Sequence, residues 1–424
     1  MREESALYDL AVVGAGPGGT TAAALARQRG WKVILFEKER FPRFRIGESL
    51  LPSVNGILKR SGAWDRVRGA GFYPKYGGLF HTFDGAATQE LDFQCGLMPG
   101  LDHTYQVERA RFDQLLLDHA ADLGAEIRME TRVEQVEPIG NECRLQVASN
   151  GGTSTARARW VFDAGGRLNA MGSGEKRELD PPRFPRRVAV YSHVTGAARA
   201  EGRGAGHTVI VRVHDGWFWL IPLDAKRTSV GLVESIEGFK AAGQKPAERF
   251  WSVVSRNPKL CELLEGAESL FPFETTSDYS YFRRRLATRR VLRVGDAAGF
   301  FDPIFSSGIY VSLASAEMAV ETVAAAGIQR SGLSLWATAS YTRKVKRHAR
   351  TFERLIAAFY DDPSFETFMS PEIPFNIRPG MTSIVAGHAD LILPLWWRYW
   401  LFLAACRVQR YAKICPTLTP APAG

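Results

Sequence analysis

Cysteine is scarce in this chain, with five among 424 residues. Cys95, Cys143, Cys261, Cys406 and Cys415 are scattered, odd in number and never spaced as C-x-x-C. That excludes a disulfide framework and a zinc site from the reading and favours a reducing, cytoplasmic setting. The N-terminal Met1-Arg-Glu-Glu-Ser-Ala-Leu-Tyr lacks the apolar core of a secretory signal. No uncharged apolar run reaches the length of a bilayer span, about 20 residues. The nearest approach, Ile384 to Cys406, is interrupted by His388, Asp390, Pro394 and Arg398. It reads as a helix covering a cleft in preference to a membrane-surface anchor, with no transmembrane segment expected. Basic residues form no long run and no nucleic-acid-binding motif, so the net charge of +9 points to solubility or an acidic protein partner. Arg283-Arg284-Arg285 and Arg289-Arg290 read as solvated surface, with room for one cluster to dock such a partner. No internal repeat is visible.

The hydrophobic share of 45% and charged share of 23% are those of a globular protein, and the length suits two interleaved domains. The apolar run Asp9 to Val13 reads as a buried strand. Gly14-Ala15-Gly16-Pro17-Gly18-Gly19 follows as G-x-G-x-x-G, and Thr20 to Arg29 is Ala-rich and helical in propensity. Gly14 makes the tight turn, Gly16 lets a pyrophosphate approach the backbone, and Gly19 lets helix and strand pack closely. The helix N-terminus offers its free N–H groups to the phosphates. Lys32 to Phe36 forms the next strand and ends at Glu37, the acid expected on a ribose hydroxyl, beside Lys38.

NAD and FAD share this fingerprint. Arg293-Val294-Gly295-Asp296-Ala297-Ala298-Gly299 supplies a second flavin motif, a strand ending in Gly-Asp, about 280 residues later. No second strand–GxGxxG–helix unit offers a nicotinamide site. The expected cofactor is therefore FAD, with Asp296 on the ribityl chain. Arg109, before the helical stretch Gln114 to Leu123, reads either as a cofactor support or as an ordinary helix-start charge.

Trp217-Phe218-Trp219-Leu220-Ile221-Pro222 is an aromatic strand. Alternation puts Trp217 and Trp219 on one face and Phe218 and Leu220 on the other, and Pro222 closes the strand. Phe300-Phe301-Asp302-Pro303-Ile304-Phe305-Ser306-Ser307-Gly308 leads into a helical pattern from Ile309. Backbone N–H groups around Ser306, Ser307 and Gly308 form a candidate nest for an anion.

With Phe41 to Ser49, which resembles an R-x-x-x-G-E-S segment, these motifs resemble the flavin-dependent halogenase family over most of residues 8 to 330. Trp-x-Trp-x-Ile-Pro and Phe-x-x-Pro-x-x-Ser-x-Gly resemble its phenol- and pyrrole-acting branch. Size and motif order are most similar to halogenases of pyrrolyl-carrier-protein substrates. The resemblance implies FADH2, supplied by a separate flavin reductase, with O2 and chloride or bromide. It implies a phenol or pyrrole substrate, either free or tethered to an acyl or peptidyl carrier protein, in natural-product biosynthesis such as antibiotic formation.

By the same resemblance Lys75, in Phe72-Tyr73-Pro74-Lys75-Tyr76-Gly77-Gly78, is the catalytic lysine. It would capture hypohalous acid and present the halogen, its pKa depressed among Phe72, Tyr73 and Tyr76. Arg45, Glu48, Ser49, Pro303 and Gly308 join the cofactor site, the halide lies at Ser306 to Gly308, and Trp217, Trp219, Phe301 and Phe305 wall the active site. Phe305 stands where tryptophan-acting members carry a glutamate, which disfavours tryptophan. Asp278 is a conceivable covalent tether for FAD. Prenyl-lipid (geranylgeranyl) reductases share the flavin motifs and a similar aromatic strand, and remain the alternative.

The expected fold is α/β. A Rossmann-like FAD-binding domain (1–70, 105–180 and 285–335) is interleaved with a mixed β-sheet substrate domain (71–104 and 181–284). A helical C-terminal region (336–415) and a disordered tail (416–424) follow.

Overall fold

The computed structural model describes residues 6–167, 179–180, 184–277, 280–370 and 375–418. Asp278 and the last six residues of the tail lie outside them.

Two sheets carry the fold. The first runs β7 (Glu126–Arg128), β2 (Val33–Phe36), β1 (Leu7–Val13), β10 (Gly152–Asp163), β9 (Glu142–Ser149) and β8 (Arg132–Ile139), with β18 (Val291–Arg293) also on β10. Its centre is parallel, β1 lying between β2 and β10. β2 and the C-terminal halves of β1 and β10 are largely apolar, as buried parallel strands are. Leu10, Val12, Leu35, Trp160 and Phe162 pack against α1 (Pro17–Gln28) and α8 (Ser307–Ala326). β8 and β9 extend β10 as an antiparallel meander.

The second sheet runs β15 (Glu268–Ser269), β11 (Arg187–Thr195), β14 (Thr228–Ser235), β13 (Gly216–Pro222), β12 (Thr208–Val213), β4 (Gly77–His81) and β5 (Thr88–Asp92), with β16 (Glu274–Ser277) also on β11. It is antiparallel except where β12 runs parallel to β4. Two-residue alternation sorts its side chains. Phe218 and Leu220 face α6 (Pro246–Val254) and α7 (Pro258–Leu263), which follow α5 (Ile236–Ala242). Trp217, Trp219 and Ile221 face the other way, into the largest core. The expected split of β13 into two faces is what the chain forms, and β13 ends at Pro222.

That core is closed by α2 (Pro52–Arg60), α3 (Trp64–Gly69), α9 (Leu335–Tyr360), α10 (Asp362–Met369), α11 (Ile377–Val385) and α12 (Leu393–Ala412). Helix α4 (Arg109–Asp122) packs beside α1. Two short ladders join the layers: β3 (Tyr73–Lys75) with β6 (Thr104–Gln106), and β17 (Tyr281–Phe282) with β19 (Gly299–Phe300). Among the described residues, the one helix long and apolar enough to cross a membrane is α8, and half of its apolar window is buried in the protein. The apolar run Ile384 to Cys406 is split between α11 and α12, which leaves Leu393, Trp396 and Trp400 exposed.

The arginine clusters meet the expectation of solvated surface only in part. Arg283 and Arg290 are buried. They donate to the carbonyls of Ala297 (3.1 Å) and Arg159 (2.8 Å), and a buried carbonyl needs such a donor. Arg284, Arg285 and Arg289 are exposed.

Candidate active site

The nucleotide end is built by β1, the glycine turn and α1. Gly14 has φ +98°, and a Cβ there would stand 2.4 Å from the carbonyl oxygen of Ala164, so only glycine fits. A Cβ on Gly19 would lie 1.9 Å from the Gly14 oxygen, which keeps α1 close to its strand. Gly16, the N-cap of α1, differs. A Cβ there would meet only Arg43 Nη2, at 3.9 Å. The protein leaves this space open in front of free helix N–H groups. Glu37 is buried at the end of β2, where its carboxylate accepts from the N–H of Ala15 (2.8 Å) and of Glu39 (2.9 Å). Lys38 is half-buried beside it.

Arg45 lies at the surface, paired with Glu39 through both carboxylate oxygens. Arg43 stands nearer the glycine turn, its guanidinium 3.0 Å from the buried Asp113 carboxylate. It is the arginine of the R-x-x-x-G-E-S segment, and that spacing was the signal that could have singled it out. Arg109 is clamped on the same Asp113 (2.8 and 2.9 Å) and donates to Ile46 O (2.8 Å). It braces the 43–49 loop.

Asp296 follows β18. Burial pushes its carboxyl above the ordinary range, and the charges of Arg109 and Arg167 pull the other way. Glu48 is buried, with one oxygen 3.0 Å from His193 Nε2 and the other without a hydrogen-bond partner among the described residues. An open cradle at a helix N-terminus, an acid at the second strand's end and an orphaned buried carboxylate oxygen fit a dinucleotide cofactor with a polar ring edge.

Lys75 ends β3 and is 4% exposed. Its Nζ donates to Ser49 Oγ (2.8 Å) and Leu50 O (3.0 Å) and lies 5.4 Å from the Phe93 ring. Burial pushes its pKa down from 10.5 to about 7, because removing an ammonium from water disfavours the charged form. The expected semi-burial among Phe72, Tyr73 and Tyr76 is full burial beside Phe93 and Ser49. Phe72 packs on Phe112, and Tyr76 lies against His103.

Lys75 lines a cavity of ≈ 20 Å³ together with Phe80, Phe93, Ile304, Phe305 and Ser306. That is about room for one small molecule of water size or slightly more. The cavity joins β3 to the segment before α8, and this meeting is not visible in the linear order of the motifs. Val385 of α11 also lines it, so the C-terminal helices do reach the cleft.

Ser306 has φ +54° and caps α8. Its N–H is taken by Pro303 O at 2.9 Å, so of the three expected nest donors only Ser307 and Gly308, in the first turn of α8, keep the free N–H groups of a helix start. A Cβ on Gly308 would press on the Phe300 ring at 2.9 Å. Pro303 opens the turn that presents Ile304 and Phe305.

The two indoles are buried, with centroids 5.8 Å apart. They stand behind the cavity rather than on its lining: Trp219 is paired across the ladder with Ile210, which does line it. Trp219 lies over Gly231, where a Cβ would come within 2.2 Å of the ring. Trp217 Nε1 donates to Tyr360 Oη (2.8 Å), which donates to Asp302 Oδ2 (2.8 Å), while Asp302 Oδ1 accepts from the N–H of Ile304 (3.1 Å). This chain ties the aromatic strand and α9 to the turn over the cavity. Burial pushes the Asp302 carboxyl up to about 6, against the pull of the Tyr360 hydrogen bond and of Arg187. Phe301 stacks on Phe282 (5.1 Å) and does not line the cavity. Among the described residues no group of three or more histidine, cysteine or carboxylate side chains is placed to hold a metal.

This geometry defines a flavoprotein, and residues 8–354 match the family described as FAD binding domain. A 1H-pyrrole-2-carbonyl-[peptidyl-carrier protein] chlorinase of Pseudomonas fluorescens is 29% identical over 382 residues, covering 83% of each chain. A tryptophan 2-halogenase of Chondromyces crocatus is 32% identical over 359 residues, covering 82% of this chain and 67% of its own. A flavoprotein/dehydrogenase of Cytophaga hutchinsonii has the same fold, with a TM-score of 0.85 at 27% identity over 96% of this chain and 100% of its own. The chain belongs to the flavin-dependent halogenase family. It is an FAD-dependent oxidoreductase that uses halide, and the comparisons do not favour the prenyl-lipid reductase alternative.

Proposed function

We propose that this enzyme halogenates an electron-rich pyrrole or phenol ring held as a thioester on a carrier protein, with Lys75 as the halogen-transfer residue. The observation that carries the reading is the Lys75 amine, buried on a small cavity shared with Ile304, Phe305 and Ser306 and titrating near neutrality. The carrier-bound substrate is supported by the pyrrole-acting relative and by the net charge of +9, which suits an acidic carrier.

Reduced FAD, delivered by a separate flavin reductase, supplies with O2 the oxidising equivalents that convert halide to hypohalous acid. The open N-terminus of α1 with Gly14, Gly16 and Gly19 holds the pyrophosphate, and Arg43 supports it from the side. Glu37, with Lys38 beside it, takes the ribose. Asp296, in the electrostatic field of Arg109, would take the ribityl chain. The N–H groups of Ser307 and Gly308 receive chloride or bromide at the start of α8.

Burial lowers the Lys75 pKa to about 7, so neutral amine with an available lone pair is accessible near neutral pH. The nitrogen attacks the halogen of hypohalous acid. An N–X bond forms, the X–O bond breaks, and the departing hydroxide leaves as water with a proton from the nitrogen. A ring carbon then takes the halogen, the N–X electron pair returns to nitrogen, and the ring proton restores the amine. The heteroatom of a pyrrole or phenol stabilises the ring cation, so an apolar Phe305 in place of a carboxylate is tolerated. The cavity confines the oxidant beside the amine.

The test is mass spectrometry of pyrrolyl and hydroxyaryl carrier thioesters after incubation with enzyme, a flavin reductase, O2 and chloride or bromide. Halogenated thioester is expected from wild type and none from Lys75→Ala or Lys75→Arg, while bound FAD and O2 uptake persist in both. Wild-type product from Lys75→Ala sinks the role of Lys75. Halogenation of the free acids but not of the thioesters sinks the carrier-bound substrate.

A further inference from the structure

Lys75 is the end of a buried line of hydrogen bonds whose other members come from far apart in the chain. Gln106 Nε2 donates to Gly206 O (3.0 Å) and to Thr208 Oγ1 (2.9 Å). Thr208 Oγ1 lies 3.0 Å from Ser49 Oγ, and Ser49 Oγ lies 2.8 Å from Lys75 Nζ. All four residues are buried.

The polarity of this line follows from its ends. A carbonyl only accepts, so Gly206 O fixes which end of the Gln106 amide is nitrogen. Gln106 therefore donates to Thr208, which leaves Ser49 Oγ as the acceptor that this line offers the Thr208 proton. Of the two hydrogen bonds that Ser49 Oγ makes among the described residues, to Thr208 and to Lys75, the second offers its proton an acceptor when Lys75 is a neutral amine with a lone pair. If Lys75 is an ammonium it has no lone pair, and it donates to Ser49 and Leu50 O. One hydroxyl proton is then left without an acceptor within the line, a costly state for a buried group.

We propose that Gln106, Thr208 and Ser49 are positioning residues that act as a one-way donor line, holding Lys75 as a neutral amine with its lone pair oriented. The inference rests on the halogen-transfer role of Lys75 and deepens it. It gives Ser49 a place under the lysine rather than on the cofactor. It also explains why a site without an opposing cation can keep a lysine near neutrality: burial disfavours the charge, and the line leaves the charged form with an unmatched proton.

Other titratable groups face this site. His207, next to Thr208, is buried, and burial pushes its pKa down against the pull of Glu90 and Asp92. Its ring lies 3.5 Å from Glu90. Arg203 stacks on Tyr76, and the Glu48–His193 pair adjoins Ser49. None of these lies in the donor line, so a change confined to Gln106 leaves them in place.

The test reverses the line. Gln106→Glu keeps the shape but turns the terminal donor into an acceptor, so each hydroxyl can point towards it and the ammonium becomes fully matched. NMR titration of 13C- and 15N-labelled lysine in the full chain with FAD bound should show the Lys75 pKa rising by more than about one unit. Halogenation at pH 7 should fall by more than about fivefold and recover by about pH 9. Because the new carboxylate also acts through its charge, Thr208→Val is added in the same background. It breaks the line and keeps the charge, and it should take back most of the rise.

An unchanged pKa in Gln106→Glu, or a rise that Thr208→Val leaves intact, overturns the inference. If Gln106→Glu does not fold, the wild-type protein decides. The Ser49 hydroxyl proton should exchange slowly with solvent while Lys75 is an amine and lose that protection below about pH 6, and equal protection in both states overturns the donor line. Failure of the halogen-transfer role reads differently: Lys75→Ala would then still halogenate, whatever the titration shows.

Discussion

Removing Lys75, the proposed halogen-transfer residue, should make the folded protein more stable. In Lys75→Met an unbranched apolar side chain of similar length replaces the amine at a fully buried site. The wild-type cost follows from linkage. An unfolded lysine is protonated up to its ordinary value of 10.5, whereas the folded one releases its proton near 7. Above about pH 10.5 the group is neutral in both states and carries no penalty. As pH falls to about 7 the unfolded chain alone gains the proton, and stability drops by roughly 1.4 kcal/mol per unit. Below 7 the loss is constant, with a ceiling of roughly 5 kcal/mol. Methionine escapes this but orphans Leu50 O and loosens Ser49, which costs roughly 1–3 kcal/mol. The balance is a gain on the order of 2 kcal/mol at pH 7 that shrinks and changes sign towards pH 10.5. Urea unfolding of flavin-loaded wild type and variant, followed by intrinsic fluorescence at pH 7, 8.5 and 10, measures it. A variant no more stable than wild type at pH 7, or a difference that ignores pH, refutes the reasoning. The same variant should give no halogenated product.

Gly16→Val should weaken FAD binding, read by equilibrium dialysis, while the flavin-free protein melts as wild type does, since a Cβ there meets little protein. Gly19→Ala should show the reverse priority and lower the flavin-free melting temperature, because its Cβ would sit 1.9 Å from the Gly14 oxygen. Gly231→Ala should cost roughly 1–3 kcal/mol in urea unfolding, since the rigid ring of Trp219 must shift. Asp302→Asn should remove a pH dependence: a carboxyl raised to about 6 when folded favours the fold below about pH 4 and loses that advantage as pH rises through 6, so the wild-type decline in melting temperature across this window should flatten.

What was legible in the chain was local. The glycine turn, Glu37 at the end of the next strand and the two-faced aromatic strand each depend on a spacing of a few residues, which periodicity reads directly. Lys75 was singled out by the family resemblance of its Pro-Lys-x-Gly setting, but its environment was not legible. Ser49, Thr208 and Gln106 reach it from 26 to 133 residues away, and no spacing encodes that meeting. For the same reason the partner of Trp217 was hidden: Tyr360 lies 143 residues downstream. The Arg283 and Arg290 clusters misled because a run of charge looks the same whether its heads meet water or backbone carbonyls.

The seating of Trp219 on Gly231 constrains how this sheet can change over generations. Either residue alone has one permitted size: an enlarged glycine meets the indole, and a shrunken indole leaves a void over the glycine. A lineage leaving this arrangement must therefore pass first through the smaller ring and its cavity, and only then enlarge position 231. The reverse order begins with a clash. Descent would meet these two positions as a single inherited character, joined across neighbouring strands without a covalent bond.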